Sequence, residues 1–249
     1  MKNHSLTTGI AALSLALAAA PALADINVGV VFSLTGPAAS LGAETRKTIE
    51  LLPTTLGGEK INYIVLDDAT DPTNAVKNTR KLVGENKVDA IIGPNLITNA
   101  IAMADVVNET GVPMLSIAPV QVADDKRRWV FPVEPSADVM VARVVRDMQE
   151  KGIKTVGFIG FADSWGELLL DALTRTTEAA GIKIVATERF GRTDTSVTAQ
   201  VLKLSRANPD AVFVGGSGTP AALPQVSLRE RGYKGPVYQS HAVDRKSVV

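Results

Sequence analysis

Short apolar runs alternate along this chain with longer segments in which apolar residues recur at helical spacing. Short, continuously apolar runs are typical of strands buried on both faces, and strand–helix alternation is typical of a parallel sheet covered by helices. The pattern predicts strands at 25–32, 61–66, 88–92, 114–117, 155–159, 183–189, 211–214 and 237–239. It predicts helices at 41–52, 73–85, 98–110, 139–151 and 221–231, with two more that end at Ala180 and near Ala207.

The alternation is interrupted once, at the polar and charged segment 120–128. We interpret this segment, with 129–134, as the crossing to a second lobe, because the alternation restarts after Pro135. The predicted fold class is therefore α/β, with two Rossmann-like lobes built on parallel sheets. The predicted division is 25–134 for the first lobe, 135–240 for the second, and 241–249 for a second crossover and a tail.

Two of the predicted strands end in similar turns. Strand 88–92 runs into Gly93-Pro94, where Asn95, Thr98 and Asn99 can each cap the next helix, and strand 211–214 runs into 215–219, a stretch of glycines and hydroxyls. In open α/β sheets, ligands lie at the carboxyl edge, where helix N-termini present free N–H groups. We therefore expect the two loops to face each other across a cleft and to hold a small molecule.

The N-terminus resembles a secretory signal peptide. Met1-Lys2-Asn3-His4 is followed by an apolar run at 9–20 and by Pro21-Ala22-Leu23-Ala24. A basic start, a short apolar stretch and an Ala-x-Ala ending predict cleavage after Ala24, and the run is too short to span a membrane. The chain has no cysteine to carry a lipid, so we expect residues 1–24 to be removed and the protein to be free in the periplasm.

The charge balance argues against a nucleic-acid partner. The chain has 26 basic and 26 acidic residues, and its strongest basic tract, 126–128, is typical of a solvated turn.

Signals for an enzyme are poor. The segment 215–219 has Thr219 where a nucleophile elbow needs glycine, and no lysine follows as in a phosphate-binding loop. Outside the predicted signal peptide only His241 remains, which argues against a zinc site or a Ser–His relay. We expect no catalysis, no cofactor and no metal; Asp67, Asp68 and Asp71 could hold a hard cation, but such clusters more often cap turns and helix starts.

Trp165 stands in a polar loop after a predicted strand, in a chain with few aromatic residues. It either packs in the core or covers a ligand at the strand's carboxyl end.

Several segments, in this order and spacing, resemble the substrate-binding proteins of branched-chain amino-acid ABC transporters. The resemblance covers the chain from Asp25 to about Val243. It implies a type I periplasmic-binding fold, in which two lobes trap a small molecule and a membrane permease receives it. The matching segments are 33–37, 67–72, 93–103, 112–114, 165–167, 215–217 and 233–236.

The resemblance also implies positions for the ligand contacts. In leucine-binding members, the loop around Thr98 and the backbone near Ala118 and Val120 grip the α-carboxylate, and a glutamate at the position of His241 pairs with the ammonium. The implied contacts are Leu41, Ile97 or Thr98, Ala118 and Val120 in the first lobe, and Trp165, Ser217 and His241 in the second.

The chain departs from that pattern at several contacts. Leu41 and Ser217 stand where leucine binders carry tyrosine, and Thr70 and Leu96 replace a cystine of some members. A neutral imidazole at His241 cannot balance a buried ammonium, which would cost several kcal/mol if left unpaired. We therefore hypothesise that the ligand is a carboxylate or an amide of amino-acid size. This class includes aromatic ligands that stack on Trp165.

The family's chains run on beyond the point where this one stops, and 244–249 does not resemble the family. We therefore expect a chain that is incomplete at its C-terminus, exposes apolar surface and aggregates readily. The leading interpretation is a solute receptor for an ABC permease at the inner membrane. The alternative is a ligand-sensing domain of a signalling or regulatory system that uses the same fold.

Overall fold

The computed structural model describes residues 25–243, so the predicted signal peptide and the tail 244–249 lie outside the described residues. All eight predicted strands and all seven predicted helices are present in this part of the chain, which confirms the predicted α/β architecture. Within residues 25–243, no helix is both long and apolar enough to cross a bilayer.

The first sheet has six strands in the order β2-β3-β1-β4-β5-β6. All neighbours are parallel except β2 and β3, which form a short antiparallel hairpin. The strands are β1 (Ile26–Phe32), β2 (Thr55–Leu56), β3 (Glu59–Asp67), β4 (Ala90–Ile92), β5 (Met114–Ser116) and β6 (Val130–Pro132). The connecting helices are α1 (Ala39–Ile49), α2 (Pro72–Gly84) and α3 (Ile97–Thr110). We call this part the first lobe.

The second sheet has four parallel strands in the order β10-β9-β7-β8, and we call the part built on it the second lobe. Its strands are β7 (Thr155–Phe161), β8 (Lys183–Phe190), β9 (Ala211–Gly215) and β10 (Val237–Gln239). Its helices are α4 (Ala137–Glu150), α5 (Ser164–Ala180), α6 (Thr198–Ala207) and α7 (Leu223–Glu230).

Local sequence explains where several helices begin and end. Asp71 accepts a hydrogen bond from the amide of Asn74 at 2.8 Å, so it caps α2, whose first residue is a proline. Asp163 caps α5 in the same way, and Gly181 ends that helix with a φ of 67°. The polar side chains after β4 do not cap α3, contrary to the prediction: its N-cap is Leu96, and no side chain bonds there.

One hydrophobic cluster runs through both lobes. In β9 all five residues are buried, and in β7 all but the first. This is the burial expected for strands covered on both faces, and Phe158 and Phe213 stack across these two neighbours at 6.2 Å. The carboxyl ends of the strands are therefore held on a rigid base.

In each sheet there is one point at which successive strands begin to be added on the opposite side of the first strand. In the first sheet β1 lies between β3 and β4, and in the second β7 lies between β8 and β9. The loops after β1 and β4, and those after β7 and β9, therefore part from each other and leave a crevice at the carboxyl edge.

Two short strands were missed by the sequence pattern. The hairpin strand β2 has only two residues, both exposed. Residues 130–132, predicted to belong to the crossing between lobes, instead form β6, which pairs with β5 at the edge of the first sheet. The division at residue 134 stays a prediction, since β6 belongs to the first sheet and α4 follows it.

An apolar patch is exposed at this edge. Leu115 and Phe131 are opposite each other in the β5–β6 register. Val133 comes two residues after Phe131, just beyond the end of β6. Their side chains are 39%, 48% and 58% exposed. Adjacent apolar residues at an open sheet edge favour association, and the tendency of the chain to aggregate stays a prediction.

We expect Phe131→Thr to reduce aggregation and the binding of a hydrophobic dye, with a change in unfolding free energy within about 0.5 kcal/mol. Threonine keeps the strand propensity and removes the largest exposed ring. The control is Leu202→Thr on α6, which removes a single side chain that is 43% exposed, outside this patch. Light scattering and dye fluorescence measure both; equal effects of the two substitutions would contradict the assignment of the aggregating surface.

Candidate ligand-binding site

A cavity of about 590 Å³ is lined by residues of both lobes. Its walls come from the loops and helix starts that follow β1, β4, β5 and β6 in the first lobe and all four strands of the second. First-lobe residues of the lining include Ser40, Leu41, Glu44, Asn95, Leu96, Ile97, Ile117, Pro119 and Glu134. Second-lobe residues include Trp165, Arg192, Ser217, Gly218 and His241. The cavity therefore occupies the crevice that the two sheet topologies create.

A buried polar network supports the first-lobe wall. The carboxylate of Asp68 is fully buried and accepts hydrogen bonds from the hydroxyl of Ser33 at 2.7 Å and from the side-chain amide of Asn99 at 2.8 Å. It also accepts one from the amide of Thr70 at 2.9 Å. Three segments, after β1, after β3 and in the first turn of α3, are thereby fixed to one carboxylate.

Asp67 holds the turn after β1 in the same manner. Its carboxylate accepts from the Thr35 hydroxyl at 2.7 Å and from the amide of Leu34 at 2.8 Å. Burial raises the pKa of Asp67, but the hydrogen bonds from Thr35, Ala69 and Leu34 outweigh it, so that the pKa lies below its ordinary value. This carboxyl stays ionised as an acceptor for the turn.

The aspartate cluster after β3 thus has the capping role that the sequence favoured. Asp67 and Asp68 hold turns and Asp71 starts α2. Within residues 25–243, no group of three or more histidine, cysteine or acidic side chains is arranged to hold a metal ion.

Asn95 joins the two sides of the first-lobe wall. Its side chain accepts from the amide of Ser33 at 3.2 Å and donates to the hydroxyl of Thr45 at 3.1 Å. The loop after β4 is therefore bound to the loop after β1 and to α1. This pairing replaces the helix-capping role predicted for Asn95.

Trp165 forms a fixed wall in the second lobe. Its ring is 6% exposed and its Nε1–H donates to the carbonyl oxygen of Gly216 at 3.0 Å, across the switch point between β7 and β9. The ring edge also meets the imidazole of His241, with centroids 5.9 Å apart and an interplanar angle of 82°. Trp165 therefore packs in the core and also lines the cavity, and that it covers a ligand stays a prediction.

Arg192, in the loop after β8, was not singled out from the sequence. Its Nε donates to Asp163 at 2.6 Å and its Nη1 donates to the hydroxyl of Ser217 at 3.0 Å. Its guanidinium carbon lies 4.2 Å from the ring centre of Phe161, within reach of a cation–π interaction. The side chain is only 14% exposed, so a cation is held in a set position at the cavity wall.

Glu134 was also missed. It follows β6, lines the cavity, and places a carboxylate oxygen 3.9 Å from Nε2 of His241. A carboxylate in this position can pair with an ammonium group, so the argument from His241 against zwitterionic ligands does not hold for the cavity as a whole. The sequence could have pointed to Glu134 only through its place between β6 and α4.

Five of the eight predicted contact residues line the cavity: Leu41, Ile97, Trp165, Ser217 and His241. Their role as ligand contacts stays a prediction. The loops after β4 and β9, expected to face each other, do contribute to one shared cavity through Ile97 and Ser217.

The other three positions lie outside the lining, and their role as ligand contacts stays a prediction. Thr98 is absent from the lining, and its hydroxyl bonds to the side chain of Asn99 at 3.3 Å, so of the pair Ile97 and Thr98 it is Ile97 that borders the cavity. Ala118 and Val120 are buried in the core, and the residues beside them, Ile117 and Pro119, line the cavity instead.

The backbone amides of Ala118 and Val120 already donate hydrogen bonds within the protein. The amide of Ala118 donates to the carbonyl oxygen of Pro94 at 3.1 Å, and the amide of Val120 donates to that of Ala118 at 2.7 Å. These amides cannot grip a carboxylate without breaking a bond inside the protein.

A hydrogen bond joins the two lobes beside the cavity. The amide of Thr219 donates to the hydroxyl of Ser40 at 3.2 Å. A Cβ on the neighbouring Gly218 would lie 2.9 Å from the same hydroxyl oxygen, so the approach depends on a small residue there.

Comparison with known proteins gives a family and relatives. The sequence model of a family described as "Periplasmic binding protein" matches residues 25–246. The Leu/Ile/Val-binding protein BraC3 of Rhizobium johnstonii is 29% identical over 227 residues, which cover 85% of this chain and 60% of that protein.

Solved structures are similar over the same part. An extracellular ligand-binding receptor from Rhodopseudomonas palustris HaA2 matches with a TM-score of 0.87 and 45% identity, over 90% of this chain and 63% of the other. A solute-binding protein of an ABC transporter from R. palustris, in complex with 4-hydroxybenzoate, matches with a TM-score of 0.80 and 21% identity. The match covers 91% of this chain and 63% of the other. The chain spans about three fifths of the length of these relatives.

Proposed function

We propose, from the premise that this chain belongs to the periplasmic binding protein family, that it is the solute-holding part of an extracytoplasmic receptor. The receptor closes on a small molecule between its two lobes and delivers it to an ABC permease at the inner membrane. Its site of action is the periplasm, reached through the predicted signal peptide. A receptor of this kind works by binding the solute better in the shut arrangement than in the open one, and needs no chemical step.

Family membership confirms two of the expectations drawn from the sequence. The chain has the type I periplasmic-binding fold, shared with its solved relatives. It is also a binding protein and not an enzyme, because the family and its named relatives are binding proteins.

The observation that carries the proposal is the cavity itself. A volume of about 590 Å³ lies in the range of small-molecule sites, and both sheets turn their switch points toward it. Supporting groups, above all Asp68 below the first-lobe wall and Asp163 below the second, fix the walls through hydrogen bonds. Such preorganisation lowers the entropy lost on binding.

The solute that this cavity favours is a carboxylate or amide of amino-acid size with an apolar body. Leu41 and Ile97 give the cavity an apolar surface in the first lobe, and the ring of Trp165 gives it one in the second. Glu134 widens the range to solutes that also carry an ammonium or another hydrogen-bond donor. The fold accommodates aromatic acids in at least one relative, the R. palustris protein described with 4-hydroxybenzoate.

We expect Trp165→Ala to weaken solute binding about 10- to 100-fold, because it removes the largest fixed wall of the cavity. A thermal-shift screen of the chain against amino acids, amides and aromatic acids identifies a solute, and calorimetry then gives its affinity. Chains that bind no solute in the screen would contradict the proposed function.

The matched control is Trp129→Phe, which alters the other tryptophan of the chain, outside the cavity lining. This variant should bind as the unaltered chain does and leaves Trp165 as the single tryptophan. Its emission should change when solute binds. A bound solute that leaves this emission unchanged would place the binding site elsewhere.

A further inference from the structure

Arg192 is held in place by three partners from two segments of the second lobe, the end of β7 with its loop and the loop after β9. Asp163 accepts from its Nε, Ser217 accepts from its Nη1, and its guanidinium carbon lies over the ring of Phe161. A guanidinium that contacts an aromatic ring and has two hydrogen-bonded nitrogens has lost the freedom that a surface arginine keeps. This side chain is therefore already ordered before any solute binds, so that binding loses little further side-chain entropy here.

These partners leave hydrogen-bonding capacity unused. A guanidinium has five N–H donors. Among residues 25–243, two of its three nitrogens have a hydrogen-bond partner, and none is found for Nη2. The carboxylate that pairs with Arg192 has a second task, because the other oxygen of Asp163 accepts from the amides of Trp165 and Gly166 at the start of α5.

The acidic groups of the cavity do not fill this capacity. Glu44 pairs with Lys47 at 3.0 Å, and Glu134 lies next to His241. Neither of them forms an ion pair with Arg192 in the part of the chain that the structure describes. The lining therefore has a cationic position at Arg192 and an acidic one at Glu134 that do not neutralise each other.

We propose that Arg192 binds the carboxylate of the solute and makes this receptor selective for acids over their neutral amides. The inference rests on the proposed function, that of a solute receptor, and names the residue that sets its solute class. It places the anion in the second lobe. The first-lobe positions implied by the resemblance to leucine binders, Thr98, Ala118 and Val120, either do not face the cavity or have their amides committed.

A purely structural role would be the alternative, with Arg192 tying the loop after β8 to α5. The chain already has such a tie three residues earlier. Arg189 binds Glu167 on α5 through two nitrogens, one of them at 2.9 Å, and this pair is outside the cavity lining. Arg189 lowers the pKa of Glu167 below its ordinary value, as expected of a formed ion pair. Arg189 is thus a matched control for an ion pair without a ligand role.

The experiment compares acids with their amides on three proteins. The probes are 4-hydroxybenzoate against 4-hydroxybenzamide, phenylacetate against phenylacetamide, and leucine against leucinamide. On the unaltered chain, at least one acid should bind about 100-fold more tightly than its amide. Arg192→Gln should weaken that acid about 100-fold and bring the acid-to-amide ratio close to one, whereas Arg189→Gln should leave both values as they were. Calorimetry measures the affinities, and circular dichroism shows which variants are folded.

Two further measurements keep the test decisive if Arg192→Gln does not fold. The acid-to-amide ratio of the unaltered chain needs no variant, and a ratio near one overturns the inference. Arg192→Lys keeps the charge but not the planar fork, so it should lose about tenfold in acid affinity and retain a preference for the acid.

The outcomes separate the two proposals. If no probe of either kind binds, and the wider screen finds no solute, the proposed function fails and the inference with it. If solutes bind but amides bind as well as acids, or Arg192→Gln binds the acid as the unaltered chain does, only the inference is overturned.

Discussion

Gly166→Ala is expected to destabilise the folded chain by about 3 kcal/mol or more, a large share of the stability of an ordinary domain. A Cβ on Gly166 would lie 1.9 Å from the carbonyl oxygen of Phe161 and 2.8 Å from its nitrogen. Both atoms belong to the main chain at the end of β7, so neither can rotate away. The start of α5 would have to move, and Trp165 with it. We therefore also expect solute binding to be lost.

The control is Gly84→Ala, at the end of α2. Nothing lies within 4 Å of a Cβ there. Alanine should stabilise this helix by about 0.5–1 kcal/mol, because it restricts the unfolded chain more than glycine does. Urea unfolding followed by circular dichroism measures both variants. A Gly166→Ala chain as stable as Gly84→Ala would show that α5 does not begin in contact with β7.

Asp68→Ala is expected to cost about 3 kcal/mol or more as well, for a different reason. The carboxylate is fully buried and is the acceptor for Ser33, Thr70 and Asn99. Its removal leaves three donors without an acceptor in the interior, and each such group costs about 1–3 kcal/mol. Since the network positions the first-lobe wall, we expect solute affinity to fall together with stability.

Asp71→Ala tests the neighbouring aspartate of the same cluster. This side chain caps α2 through the amide of Asn74 and is only half-buried. Loss of a helix cap costs about 1 kcal/mol, so the effect should be about a third of that at Asp68. Unfolding midpoints in urea compare the two. Equal losses would mean that the buried network adds nothing beyond a cap.

The order and type of the elements could be predicted because local patterns determine them. Runs such as 211–214 are apolar throughout, and glycine or proline separates each run from the helix that follows. The two missed strands lack that signal. β2 consists of two exposed residues, and β6 has one buried residue of three, so their pairing depends on neighbours distant in the sequence.

The candidate site could be predicted only in part. Strand ends and loop composition pointed to Trp165 and Ser217, because these residues follow the strands on either side of the second switch point. Arg192 was missed because its partners Asp163 and Ser217 are 29 and 25 residues away, and a lone arginine in a loop is indistinguishable from a surface residue.

The alternation at 117–120 was missed for another reason. No strand or helix at this point fixes which side chains face inward; the family resemblance implied Ala118 and Val120, whereas Ile117 and Pro119 line the cavity. The side of the chain that borders the cavity is set by tertiary bonds such as that from Ala118 to Pro94.

The two oxygens of Asp163 have consequences for redesigning the cavity. One oxygen starts α5 and the other holds the guanidinium of Arg192 at the cavity wall, so any substitution at 163 alters the start of the helix and the position of Arg192 at once. A mutant library aimed at new solutes should therefore keep this position constant and vary Leu41 and His241, which border the cavity without starting a helix or holding Arg192. Sensors for other small acids could then be evolved on this scaffold without first having to restore its stability.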